Sequence, residues 1–237
     1  MLAKSDYIDL DVIAEAGHLL VTGTDTGIGK TWTTVKIIEE LKKKGQEVSA
    51  AKPIETGCEK NGSGELVGSD ITEIAGALGV SRQDPEYKNL FFKLYHSPVA
   101  PSVAVEREAS SLTWEELVDW LNQRKAAKET FLVEGAGGLL VPIVNSQTFA
   151  ELAQETGLKV LVVFGSRLGA INQAALTFEV LRSRGLPIVG YVFNQMAKPE
   201  EAVEGRVNAD QTNRELLKKV AARYEVEEVG YLSWEGK

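Results

Sequence analysis

The sequence predicts an α/β protein: a mainly parallel sheet of the P-loop NTPase type, with helices on both faces. Three observations carry that prediction. Short apolar runs such as 160–164 and 188–193 alternate along the chain with stretches of helical periodicity. A glycine-rich turn, Gly23 to Lys30, joins an apolar run to an amphipathic stretch. Polar and glycine residues recur where the apolar runs end, the edge at which open α/β sheets bind ligands.

Residues 1–16 carry no clear pattern and read as an N-terminal extension; residues 17–237 read as one P-loop α/β domain, with no linker or composition shift to divide it. His18–Val21 is the first buried strand, and residues 31–41 form the helix after the turn, closed by three lysines and Gly45. Glu47–Ala51 is a second strand, running into Lys52 and Pro53, where a ladder must break. The polar, glycine-rich stretch Glu59–Gly68 has the composition of a mobile loop, and Ser69–Leu78 reads as a helix with Ser69 or Asp70 near its cap. Asn89–Tyr95 alternates as a strand does, and Pro98 and Pro101 break the chain after it. Thr113 and Glu116 have capping-box spacing and open a helix over 114–128. Strands over 130–133, 160–164, 188–193 and 229–232 then alternate with helices over 149–155, 170–184 and 200–224, the last interrupted by Gly205.

Composition narrows the function. The 237 residues are 43% hydrophobic and 25% charged, ordinary values for a globular protein. No apolar run approaches the roughly 20 residues that span a bilayer, and the N-terminus carries too many acids for a secretory signal. One Cys and two His make a disulfide framework or a structural zinc site a poor expectation. A net charge of −8 speaks against nucleic acid as the main partner. The expectation is a cytoplasmic protein acting on small molecules, with neither nucleic acid nor membrane as partner.

The turn itself is a phosphate-binding loop. At a strand-to-helix junction the unpaired backbone N–H groups of Gly27, Ile28 and Gly29 can hold phosphate. Lys30 adds a charge for the outer phosphates, and the Thr31 hydroxyl is placed to ligate Mg²⁺. The strict motif has glycine where Thr24 stands; here the glycine is one position earlier, at Gly23. Asp25 occupies the place of the signature lysine of ParA/MinD-type switches, which counts against that branch. Glu134, at the end of an apolar run, is by position a metal or water ligand, and the glycines that follow suggest close approach of a ligand. Asp70 reads equally as a helix cap or a metal ligand. Lys52 is either a surface lysine or a group that neutralises a phosphoryl or carboxyl oxygen. Asn194 either contacts a base or makes an Asx turn.

Taken together, these segments resemble the dethiobiotin synthetase family. The resemblance rests on Thr22 to Thr26 with Gly29-Lys30-Thr31, on Lys52 to Gly57, on Ser69-Asp70, and on Ala100-Pro101 with the three residues after it. It continues through Glu134 to Gly138, Gly165 to Asn172 with Ala174 to Thr177, and Gly190 to Asn194. Membership would imply a sheet of about seven strands, a homodimer, and closure of a cyclic urea from 7,8-diaminononanoate, CO₂ or bicarbonate, and ATP with Mg²⁺. It would imply catalytic roles for Lys30 and Lys52, and nucleotide contacts from Gly27, Ile28, Gly29, Lys30, Thr31, Glu134 and, to the adenine, Asn194. Metal ligation would fall to Thr31, Asp70 and Glu134, and substrate contacts to Thr26, Thr56 and Asn172, with Asn172 near the dimer two-fold.

Two side chains depart from the family pattern. Gly27 stands where many members carry Glu, and Ser233 where Pro is usual. The stretch before residue 17 has no counterpart in the pattern. Two rival readings exist: a ParA/MinD-like ATP-dependent dimerising switch, and another P-loop ATP-dependent ligase such as the glutamine-using amidases. The amidases need a nucleophilic cysteine, for which Cys58 has no base at suitable spacing.

Overall fold

A computed structural model describes residues 6–125, 130–196 and 209–234. Its centre is a seven-stranded sheet of β1 (Tyr7–Ile8), β2 (His18–Gly23), β3 (Val48–Ala51), β4 (Thr130–Gly138), β5 (Lys159–Gly165), β6 (Ile188–Asn194) and β7 (Glu228–Leu232). The strands lie in the order β1-β7-β6-β5-β2-β4-β3. Six are parallel, and only β1 runs antiparallel to its neighbour, β7. Parallel strands need crossovers, and the helices supply them: α1 (Leu10–Ala16), α2 (Lys30–Lys43), α3 (Ser69–Leu78), α4 (Pro101–Arg107), α5 (Trp114–Asn122), α6 (Phe149–Thr156), α7 (Ala170–Ser183) and α8 (Ala209–Ala222).

Strand side chains alternate between faces, so the apolar runs feed two cores. Leu19, Val21, Leu161 and Val163 pack with Ile13, Ile37, Ile38, Leu41 and Ile74 from α1, α2 and α3. Leu20, Val160, Val162 and Phe164 turn the other way, against Leu117, Leu152, Phe178 and Leu217 from α5 to α8. This is why these strands read as continuous apolar runs rather than alternating ones.

The structure redraws several sequence expectations. Residues 7–16, set apart as an extension, supply the edge strand and a helix: Asp9 Oδ1 caps α1 by accepting from the Val12 amide at 3.2 Å, and Ile13 is fully buried. Asp6 is tied to the other end of the chain, its Oδ1 accepting from the Ser233 amide at 2.7 Å. The expected strand 89–95 does not join the sheet. Pro85–Asn89 coil into a 3₁₀ turn, and only Lys93–Leu94 pair, alongside Ile54–Glu55. Pro53 cannot donate to a ladder, but its carbonyl accepts from the Phe92 and Lys93 amides at 2.9 and 3.0 Å, pulling that segment away as a separate two-stranded unit.

Pro101 does not break the chain: it opens α4 from its first position, where a missing N–H costs nothing. Within the polar loop 59–68, Glu59–Lys60 and Leu66–Val67 form a hairpin whose turn is held by Asn61 Oδ1, which accepts from the Ser63 and Glu65 amides. The capping box of Thr113 and Glu116 is present, but α5 stops at Asn122; positions 126–129 of the expected helix lie outside the described residues. The first part of the expected helix 200–224 also lies outside them, and α8 covers Ala209–Ala222.

Candidate active site

The site forms along the carboxyl ends of β2, β3 and β6 and beside Glu134 within β4. β2 ends at Gly23, and the loop turns through Gly27 (φ 70°) and Gly29 (φ 91°) into α2. Both glycines are in the left-handed region that a side chain resists. At Gly29 a Cβ would also lie 1.8 Å from Asn194 Nδ2. Asn194 itself is buried at the end of β6 and donates from Nδ2 to the Ile28 carbonyl at 2.9 Å, so it pins the phosphate loop to the sheet. No side chain caps α2, which leaves its first backbone N–H groups directed at the loop.

Lys30 folds under the loop and donates from Nζ to the Asp25 carbonyl at 2.8 Å. Its burial, and then the neighbouring charge of Lys52, lower its pKa to about 8. Asp25 is tied to α7 and the segment before it: Arg167 donates to its carboxylate, and Gln173 Nε2, in the first turn of α7, lies 3.4 Å from the same oxygen. Its own Thr26 amide, then Arg167, hold that carboxyl below the usual range.

Four predicted residues meet from α2, α3, β4 and the segment just after β3. Lys52 Nζ lies 2.7 Å from Glu134 Oε1 and 2.7 Å from Asp70 Oδ2. Thr31 Oγ1 donates to the same Glu134 oxygen at 2.7 Å. Burial alone would favour a neutral amine at Lys52, but the Glu134 and Asp70 carboxylates outweigh it and raise its pKa above the ordinary lysine value. Burial likewise works against the charged form of Asp70, and Lys52 reverses it, holding this carboxyl low.

The second oxygen of Glu134, Oε2, is buried without a hydrogen-bond partner among the described residues. An orphaned carboxylate oxygen is costly, and hard oxygen donors from two carboxylates and a hydroxyl suit Mg²⁺. The donor set therefore fits that ion.

Glu134 was expected at a strand end. Instead β4 continues to Gly138, with Glu134 level with Val21 and a register shift before Gly23 pairs with Gly138. Part of the glycine run serves backbone packing, since a Cβ on Gly138 would lie 3.4 Å from the Gly23 carbonyl oxygen. Thr26 is exposed on the loop, and its Oγ1 would be 3.6 Å from a Cβ at Gly137. Thr56, half-buried, and Asn172, exposed in the first turn of α7, are not hydrogen-bonded to the cluster among the described residues.

Sequence reasoning missed Glu55. It is almost fully buried, and its carboxylate accepts from the Asp70 amide at 3.0 Å, from the Ile71 amide at 3.0 Å and from Ser69 Oγ at 3.4 Å. Burial, then the charge of Asp70, raise its pKa. The available signal was an acid on a segment otherwise apolar, Pro53-Ile54-Glu55, upstream of a helix preceded by glycine.

The family described as an AAA domain matches residues 17–236. An ATP-dependent dethiobiotin synthetase BioD from Anaeromyxobacter sp. (strain Fw109-5) is 37% identical over 185 residues, covering 77% of this chain and 78% of its own. Its counterpart from Aquifex aeolicus (strain VF5) is 37% identical over 177 residues, covering 75% of this chain and 76% of its own. Among solved structures, a ParA family ATPase from Chlorobium tepidum TLS aligns over 92% of this chain and 84% of its own, with a TM-score of 0.51. At 10% identity that is a likeness of fold alone.

Proposed function

This chain belongs to the ATP-dependent dethiobiotin synthetase family, and on that premise we propose that its site closes a cyclic urea by way of a carbamate and a carbamoyl-phosphate anhydride. The observation that carries the reading is the Lys52 ammonium, held between Glu134 and Asp70 beside the phosphate loop.

The steps follow from elementary chemistry. One amine of 7,8-diaminononanoate adds to CO₂ and loses a proton, giving a carbamate. A carbamate oxygen attacks the γ-phosphorus of ATP as the bond to ADP breaks. The second amine then attacks the carbamoyl carbon, phosphate leaves, and the ring closes. No covalent enzyme nucleophile is needed. An ammonium has three N–H donors; the two carboxylates take two on Lys52, which leaves one for a carbamate or phosphoryl oxygen. Lys30 and the loop amides hold the outer phosphates. Thr31, Asp70 and Glu134 would hold Mg²⁺, which neutralises phosphoryl charge. Thr26 and Thr56 contact the diamine, and Asn194 turns its remaining polar edge to the adenine.

Phosphate release measured with each substrate omitted in turn tests the reading. Release is expected to be slow with diamine or bicarbonate alone and to rise sharply with both. Release indifferent to bicarbonate would remove the carbamate step, and indifference to the diamine as well would favour an ATP switch.

We also propose a symmetric homodimer with Asn172 near its two-fold axis. Leu168 and Leu176 support it: they are 95% and 58% exposed on either side of the first turn of α7. Sedimentation at micromolar concentration is expected to show a dimer; a fully active monomer would contradict it.

A further inference from the structure

We propose that Glu55 is a positioning residue that caps α3 from outside the helix and thereby fixes Asp70 as the third corner of the Lys52–Glu134 cluster. This rests on the role given to Asp70 above.

The first turn of a helix has N–H groups with no partner inside it. At α3 the residue before the helix is Gly68, which has no side chain to accept from them. Glu55 supplies the acceptor from a different segment, taking the Asp70 amide on Oε1 and the Ile71 amide on Oε2. A carboxylate at a helix N-terminus is favoured by the helix dipole as well, so this buried anion is held by the two amides together with the nearby charge of Lys52.

Two features show the arrangement to be built around that carboxylate. Gly68 has φ −86° and ψ 134°, a backbone any residue adopts, yet a Cβ there would lie 2.2 Å from Glu55 Oε2. The glycine is needed for the space that Glu55 fills. Glu55 also follows Lys52 by three residues, so one short segment delivers both the cation that Asp70 faces and the acceptor that orients the Asp70 backbone. Asp70 sits in the first turn of a surface helix with a partly exposed side chain, and its carboxylate also meets the Thr31 hydroxyl. Without the cap that turn can fray, and the 2.7 Å contact of Asp70 with Lys52 loses the backbone anchor that registers it from the helix side.

The test uses Glu55→Ala, Glu55→Gln and Gly68→Ala in the full-length chain. Gly68→Ala displaces the carboxylate without touching Glu55, and it carries the test with Glu55→Gln if Glu55→Ala does not fold. Three quantities are read: hydrogen exchange at the Asp70 and Ile71 amides, affinity for Mn²⁺ in the presence of a non-hydrolysable ATP analogue by electron spin resonance, and kcat separately from KM. Glu55→Ala and Gly68→Ala are expected to speed exchange at those amides at least about tenfold. They should weaken Mn²⁺ binding and lower kcat by about 10–100-fold, with KM for ATP within about threefold of wild type. Glu55→Gln, which keeps one acceptor, should fall between. Faster exchange with unchanged Mn²⁺ affinity and kcat would reduce Glu55 to a structural cap and overturn the proposal, as would unchanged exchange. If wild-type turnover ignores the diamine, the ligase reading fails, while exchange and Mn²⁺ binding still decide the role of Glu55.

Discussion

Lys30→Ala is expected to lower kcat by about 10²–10⁴-fold, the range for losing a group aimed at developing charge, with the fold intact. Lys30 begins α2 beneath the phosphate loop and donates from Nζ to the Asp25 carbonyl, so removing the ammonium leaves a backbone acceptor that the loop can expose to water. Lys30 also titrates near pH 8, a consequence of its burial and then of Lys52. Nucleotide phosphates favour the ammonium, so its pKa rises on binding. At about pH 9, wild-type binding should therefore take up a proton, and affinity should fall as pH rises further. Calorimetry in buffers of different ionisation enthalpy reads this directly. Lys30→Ala should show no such uptake, and near-normal turnover in that variant would remove the phosphate-loop assignment.

Lys52→Gln should be as damaging to kcat, by about 10²–10³-fold, while nucleotide affinity changes little, because the charge matters most as the phosphoryl group transfers. It should also destabilise the fold. Lys52 is the cation between two carboxylates, and removing one partner of a buried ion pair costs about 3–5 kcal/mol. These two effects can be separated. In the double variant Lys52→Gln/Asp70→Asn the stranded charge on Asp70 is gone, so thermal stability should recover in part. For the reaction, Lys52→Gln is read below its own melting temperature, where the fold is intact; near-normal kcat there would mean that Lys52 serves the fold and not the reaction.

The two cores and the six parallel strands were legible because burial on both faces demands continuous apolar runs, and Val160 to Phe164 or Ile188 to Phe193 admit few other readings. The count of seven strands also holds, but for a different set. Asn89–Tyr95 has strand-like alternation yet is drawn to the Pro53 carbonyl, while Tyr7–Ile8, with no visible pattern, pairs with β7 as its edge. A two-residue edge strand is too short to leave a period in sequence, and its partner lies more than 200 residues away.

Local chemistry alone therefore determined where phosphate can bind, since a glycine turn between an apolar strand and a helix opening with Lys30 and Thr31 is a short-range pattern. It also nominated Lys52, Asp70, Glu134 and Asn194, though only as residues with two readings each. The tertiary structure supplied the positions those readings lacked. It brought Lys52 within 2.7 Å of both acids, buried Glu134 inside β4 rather than at its end, and turned Asn194 onto the loop backbone. It alone revealed Glu55, because that carboxylate acts on amides 15 and 16 residues along the chain. Periodicity and caps are set by neighbours along the chain, whereas ion pairs and caps supplied from another segment depend on how the crossovers bring distant strand ends together.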